Sequence, residues 1–317
     1  MSTIHLVDLA ARDIAASLKV FDPERESLEA FRAQTLAMYA QISPALPDAR
    51  EERRIPGTPE VRVLVYRPRN SSRAPMGAIV YMHGGGFITG AAQMDDAACA
   101  RLAQEHSATV VSVDYRLAPE APFPGPVEDC YAALRWVMTQ ASSLGIDPSR
   151  VVLMGPSAGG GLAAATALLH RDRGGNPLAG QVIIYPMLDA RTGTAEAPVD
   201  NPTTGEFVWT RSINRFAWRA LRGPFPIPAG RDGHYSPSLA SDLKRLPPTF
   251  LAAGSLDLFM DEDVEYALRL SRAGVPVEMH VYPGGVHGFD LFPGSTTDRF
   301  SSDLRSALAR FLTKEST

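Results

Sequence analysis

Residues 150–159 read RVVLMGPSAG, and this stretch constrains the fold of the 317-residue chain more than any other. RVVLMG is an almost continuous apolar run, as expected for a strand buried on both faces; a strand with one wet face would alternate. It passes without a spacer into the turn Gly155-Pro156-Ser157-Ala158-Gly159. The GGLAAATALLHRDR that follows is small and apolar enough to pack as a helix closely against a sheet. A buried strand, a sharp turn and a helix imply an α/β architecture with right-handed crossovers and a mostly parallel sheet.

The rest of the chain repeats the alternation. Strand-like runs lie at 61–68 (VRVLVYRP), 76–85 (MGAIVYMHGG), 108–116 (ATVVSVDYR), 181–188 (QVIIYPML), 249–255 (TFLAAGS) and 277–284 (VEMHVYPG). Helical spacing marks DDAACARLAQEH, VEDCYAALRWVMTQA and EDVEYALRLSRAG between them. Ahead of the first strand, residues 5–42 carry helical periodicity through Leu6, Leu9 and Ala10, then Leu28, Phe31, Thr35 and Met38. A stop at Phe21-Asp22-Pro23 divides this region into two expected helices. Residues 189–235 break the pattern with clustered Pro and Gly, the aromatics Phe207, Trp209 and Phe216, and a short helical stretch, RSINRFAWRALRG. With 45% hydrophobic residues the chain can bury a large core. The expectation is one domain over 1–317, with a cap formed by about 1–45 and an insertion at about 189–235. The cap would cover the carboxyl edge of the sheet, where open α/β folds place their ligands.

Charge and patterning exclude several functions. A formal net charge of -4 with no long Lys/Arg block leaves no footprint for nucleic acid. No stretch approaches the roughly 18 uninterrupted apolar residues of a membrane span. The first twenty residues alternate apolar with charged side chains and lack the features of a secretory signal, so a cytoplasmic protein is expected. Cys99 and Cys130 lie in helix-like segments without metal-ligand company and read as small buried apolar residues. No metal or organic cofactor is called for.

A Gly-x-Ser-x-Gly pattern alone is a weak signal, but here it follows a buried strand and opens a helix, the context of a nucleophile elbow. Such a turn projects the Ser157 hydroxyl out of the sheet and aims the Ala158 amide at a developing oxyanion. Upstream, His83-Gly84-Gly85-Gly86-Phe87 directly follows a strand, and unobstructed amides in such a loop can supply the second donor. His83 then reads as a loop-ordering hydrogen-bonder. Of seven histidines, His5, His106, His170 and His280 fall in regular elements and His234 in the insertion. His287, in the loop GGVHGF after the last strand, can reach over the sheet edge and is the candidate base. The acid that holds its tautomer is sought between them in chain order; Asp257, just past TFLAAGS, is the first choice and Asp261 the second. Asp261, Glu262 and Asp263 otherwise read as complements to a helix dipole.

Together these segments resemble the hormone-sensitive-lipase-like family of bacterial esterases and lipases. The resemblance rests on HGGGF, DYRLAPEAPFPGPVEDCYAAL at 114–134, GPSAGGGLA, SPSLASDLKRLPPTFLAAGSLDLFMDE at 236–262, and YPGGVHGF at 282–289. It implies an α/β-hydrolase fold with a helical cap and activity on short- to medium-chain carboxylic esters. By position it implies Ser157, Asp257 and His287 as a triad, with Gly85, Gly86 and Ala158 as oxyanion donors. It also implies a small-molecule ester substrate and dimerisation through the outermost strand. Pro156 departs from the pattern, since many relatives carry Asp or Thr there.

Phe87, Phe207, Trp209 and Phe216 are candidate walls of a substrate pocket, which is largely apolar in such sites; Trp218 belongs with them or with plain packing. Two other functions remain compatible with these residues. One is a non-catalytic small-ligand-binding protein on the same fold, against which the retained His287 argues. The other is a hydrolase of an amide, formamide or lactone.

Overall fold

The computed structural model describes residues 2–18, 20–42, 46–69 and 75–313. Within them lie eight strands: β1 (Arg50–Ile55), β2 (Val61–Tyr66), β3 (Met76–Met82), β4 (Thr109–Asp114), β5 (Ile146–Pro156), β6 (Gly180–Ile184), β7 (Thr249–Gly254) and β8 (Val277–Tyr282). They form one sheet in the order β1-β2-β4-β3-β5-β6-β7-β8. The β1/β2 and β2/β4 pairs are antiparallel, and every pair from β4/β3 to β7/β8 is parallel. The helices are α1 (Arg12–Ser17), α2 (Leu28–Ile42), α3 (Asp96–His106), α4 (Gly125–Thr139), α5 (Ala141–Leu144), α6 (Ala158–Asp172), α7 (Arg211–Arg222), α8 (Asp232–Tyr235), α9 (Met260–Arg272) and α10 (Ser295–Leu312).

Alternating side chains of each strand feed two cores. On one face Val80, Val111, Leu153, Ile183 and Leu251 pack with α4, α6 and α9, through Leu134, Leu168 and Leu270 among others. On the other, Ile79, Val110, Val152, Val182 and Phe250 pack with α3 and α10, through Leu102, Phe300 and Leu308. Cys99 and Cys130 are free thiols buried in these two cores. Covering both faces buries every residue of β3, β6 and β7, the reason these strands lack alternation in sequence.

The structure corrects the sequence reading in four places. β1 has no counterpart among the expected strands: its sequence REERRI is charged at five of six positions, because it is an edge strand whose middle residues are solvated. α10 follows the last expected strand and completes the second core. The N-terminal periodicity has a different phase. Leu6 and Leu9 are 45% and 79% exposed, whereas Val7, Ala11 and Ala15 are buried against Leu256, Val286 and Phe292. Two helices do occupy the region on either side of the Phe21-Asp22-Pro23 break, but α1 has only six residues. Finally, the strand expected over 181–188 ends at Ile184, and Tyr185 turns away with a φ of 35°. Residues 1, 19 and 43–45 of the expected cap lie outside the described residues.

The segment from residue 3 to 18 is laid on the loop that carries His287. The Asp8 amide donates to Gly284 O at 3.1 Å, and Thr296 Oγ1 donates to Asp8 Oδ2 at 2.6 Å. Glu206 of the insertion accepts from the Thr3 amide and hydroxyl at 2.6 Å each, joining the two segments above the sheet. No helix among the described residues is long and apolar enough to cross a membrane.

Candidate active site

β5 delivers Ser157 at the carboxyl edge of the sheet with φ 55° and ψ -123°, a strained conformation for a residue other than glycine. The turn is tight because α6 starts almost on top of β3. A methyl group on Gly155 or Gly159 would overlap the Met82 carbonyl, so side chains are barred from both positions. Ser157 N donates to Ile184 O at 2.8 Å, which pins the turn to β6. Ala158 is the first residue of α6, so its amide has no partner within the helix.

Alternation explains how Pro156 is tolerated. The Ser157 amide faces β6, so the nitrogen of Pro156 faces the other neighbour, beyond the last β3/β5 pair at Tyr81 and Met154. Proline offers no N–H there, and the β3/β5 ladder ends at that point. The Pro156 ring instead lies beside Gly84 of the HGGGF loop.

That loop is ordered by its histidine. The His83 ring stacks on Tyr115 with centroids 4.1 Å apart, and its Nδ1 lies 2.7 Å from Gly84 O. Burial holds the His83 pKa below its usual value, keeping the ring neutral. Tyr115 OH donates to His83 O at 2.8 Å, fixing the start of the glycines from β4. Gly85 and Gly86 adopt φ values of 115° and 60°.

The structure brings Ser157, His287 and Asp257 together. Ser157 Oγ lies 2.9 Å from His287 Nε2, and His287 Nδ1 lies 2.8 Å from Asp257 Oδ2. A carboxylate only accepts, so the imidazole proton sits on Nδ1 and Nε2 is left to accept from the hydroxyl. Asp257 is itself held: Phe259 N donates to its Oδ1 at 3.0 Å, and the residue is fully buried. Asp261, the second choice, accepts from Asn201 Nδ2 at 3.0 Å instead. His234 pairs with Asp172 at 2.8 Å, and His170 and His280 bond within their own surroundings.

Rings cage the imidazole. Tyr185, Phe259 and Trp209 lie with centroids 5.0, 5.2 and 6.0 Å from that of His287. Tyr185 is anchored by its hydroxyl, which donates to Asp290 Oδ1 at 2.5 Å. Of the aromatic candidates, Trp209 reaches this cage. Phe87 is buried with its ring 5.3 Å from that of Trp218. Phe207 packs under the N-terminal segment, and Phe216 meets Phe21 edge-on at 6.1 Å. Sequence reasoning missed Tyr185, Phe259 and Asp290. Tyr185 follows a strand, and nothing in its spacing announces a turn toward His287.

Two acids stand in the first turn of α9, where a dipole role is expected, and each has further surroundings of its own. Glu262 is half-buried and accepts from the amides of Leu188 and Asp189 at 2.6 and 3.0 Å, fixing the start of the insertion. Asp263 is fully buried, and neither of its oxygens meets a donor among the described residues. Burial first, then Glu262 and Asp257, pushes its pKa well above the usual carboxylate range. A folded pKa raised above the unfolded one means stability present at low pH and lost as pH climbs through the folded value. Asp263→Asn is therefore expected to stabilise the fold by about 1–3 kcal/mol at pH 8 and by less at pH 5. Thermal melts of both proteins across that range measure it; an advantage that shrinks as pH rises contradicts the argument.

A mostly parallel sheet with a serine elbow after β5 defines the α/β-hydrolase class. A family model described as α/β-hydrolase fold matches residues 79–291. Carboxylesterase NlhH of Mycobacterium tuberculosis is 38% identical over 257 residues, covering 78% of this chain and 77% of its own. Ethyl acetate hydrolase of Pseudomonas putida is 35% identical over 232 residues, covering 72% and 70%. The solved structure of a bacterial heroin esterase superposes with a TM-score of 0.88 at 38% identity, covering 99% of this chain and all of that one. The chain belongs to the α/β-hydrolase-fold family, and it is an enzyme of the carboxylesterase class.

Proposed function

We propose that the protein hydrolyses short- to medium-chain carboxylic esters through Ser157, His287 and Asp257, with an acyl-enzyme intermediate. The observation that carries this reading is the unbroken contact from Ser157 Oγ to His287 Nε2 at 2.9 Å and from Nδ1 to Asp257 at 2.8 Å. Ser157 attacks the ester carbonyl while Nε2 takes its proton. The oxyanion is received by the amides of Gly85, Gly86 and Ala158. Collapse expels the alcohol, protonated by the imidazolium that Asp257 steadies; water activated by His287 then releases the acid. Residues 1–45 and 189–235 act as a cap that shields these steps from bulk water.

The names of the relatives favour esters over amides, and ethyl acetate, which the Pseudomonas enzyme is named for, is an acetyl ester. A purely ligand-binding role is disfavoured because all three reacting groups stand within hydrogen-bond reach. A fluorophosphonate probe is expected to label Ser157 stoichiometrically, and p-nitrophenyl esters from acetate to decanoate to turn over fastest at the short end. Absent labelling together with no turnover of any ester would falsify the reading. Faster cleavage of matched amides or lactones would move the enzyme to those substrates.

A further inference from the structure

The insertion enters α7 through a strained turn. Trp209 N donates to Phe207 O at 2.7 Å, closing three residues around Val208, whose φ is 63°. A β-branched residue rarely holds that conformation, and the surroundings must offset its strain. The turn delivers the indole of Trp209, 6% exposed, onto the oxyanion loop. Contact with Gly86 is so close that a methyl group there would overlap Cη2 and Cζ2 of the ring.

The polar corner of the indole is tied in the opposite direction. Its Nε1 donates to Asn214 Oδ1 at 3.1 Å, and Asn214 Nδ2 donates to Thr192 O at 2.7 Å. The Thr192 hydroxyl in turn donates to Glu262, in the same helix turn that follows Asp257. Asn214 is fully buried, and its two bonds admit a single orientation of the amide. Trp209 is thus clamped at both ends, by Gly86 and by a polar chain rooted in α9.

We propose that Trp209 sets the upper size of the acyl group this enzyme accepts, and that Asn214 is the positioning residue that holds it there. The inference rests on the esterase reading. Around the reacting carbon, Ser157 takes one direction, the glycine amides a second, and the leaving oxygen, which must meet His287 Nε2, a third. Tyr185 is the ring nearest the imidazole, with centroids 5.0 Å apart, and Trp209, at 6.0 Å, also lies on the oxyanion loop at Gly86; on this proposal the leaving group lies beside the first and the acyl chain under the second. A rigid indole there favours short acyl groups over longer ones.

The test compares p-nitrophenyl acetate through decanoate with a series of acetate esters of increasing alcohol size, for wild type, Trp209→Ala, Trp209→Leu, Asn214→Leu and Asn214→Asp. Trp209→Ala is expected to raise the octanoate-to-acetate ratio of kcat/KM by about 10-fold or more, leaving the order in the alcohol series unchanged. Trp209→Leu keeps an apolar filler and carries the same test if the alanine variant does not fold. Asn214→Leu shifts the ratio in the same direction through KM rather than kcat, and Asn214→Asp, which retains an acceptor for the indole N–H, stays nearer wild type. An unchanged acyl ratio in folded variants, or a shift confined to the alcohol series, overturns the proposal. Failure of the esterase reading would look different, as wild type cleaving no member of either series.

Discussion

Ser157→Ala is expected to lower kcat by about 10⁴- to 10⁶-fold and to leave the fold intact. The substitution removes one oxygen and, with it, the hydrogen bond to His287 Nε2 at 2.9 Å. Backbone strain at φ 55° is no worse for alanine than for serine, and the Ser157 amide keeps its bond to Ile184. What survives is the binding of substrate and the donation proposed for Gly85, Gly86 and Ala158, so residual activity above the uncatalysed rate is part of the expectation. Steady-state rates on p-nitrophenyl butyrate, with circular dichroism and a melting curve, provide the measurement. A folded variant retaining a tenth of wild-type turnover would remove Ser157 from the mechanism.

Asp257→Asn is expected to cost about 10⁴-fold in kcat with little change in KM, and the reason lies in one backbone amide. Phe259 N donates to Oδ1 of residue 257, so an asparagine there turns its carbonyl oxygen to that amide and its NH₂ toward His287 Nδ1. Nδ1 must then accept, the proton moves to Nε2, and Nε2 can no longer take the serine proton. Geometry is kept while the tautomer is wrong. Glu at this position, being longer, would also disturb the turn into α9, so Asn is the cleaner probe. Imidazole nitrogen NMR of His287 distinguishes the two tautomers directly, and a variant with Nδ1 still protonated and activity abolished would call for another explanation.

The elbow was legible in sequence because everything that defines it is local: a strand buried on both faces, glycines where β3 and α6 nearly touch, and a helix start immediately after Ser157. His287 and Asp257 were legible as candidates for a related reason, each lying just past a strand run. What escaped depends on partners distant in the chain. β1 has no apolar face to announce it, and its identity as a strand comes from pairing with β2. The phase of the N-terminal segment follows the surface made by Leu256, Val286 and Phe292, not its own periodicity. Glu262 looked like a dipole complement because its amide partners, Leu188 and Asp189, are more than seventy residues away. The same holds for Trp209, whose sequence neighbours say nothing of Gly86.

The contact of residues 3–18 with Gly284 and with Thr296 of α10, which bracket the loop bearing His287, also bears on the order in which this enzyme is made. During synthesis the first segment leaves the ribosome long before the surface it docks on exists, at roughly 5–20 residues per second. Closing so long a loop costs chain entropy, so its docking is expected to follow the making of the strands it rests on. Since that surface borders the loop bearing His287, on the proposed mechanism a nascent chain can build its elbow early yet gains its base only after β8 has been made.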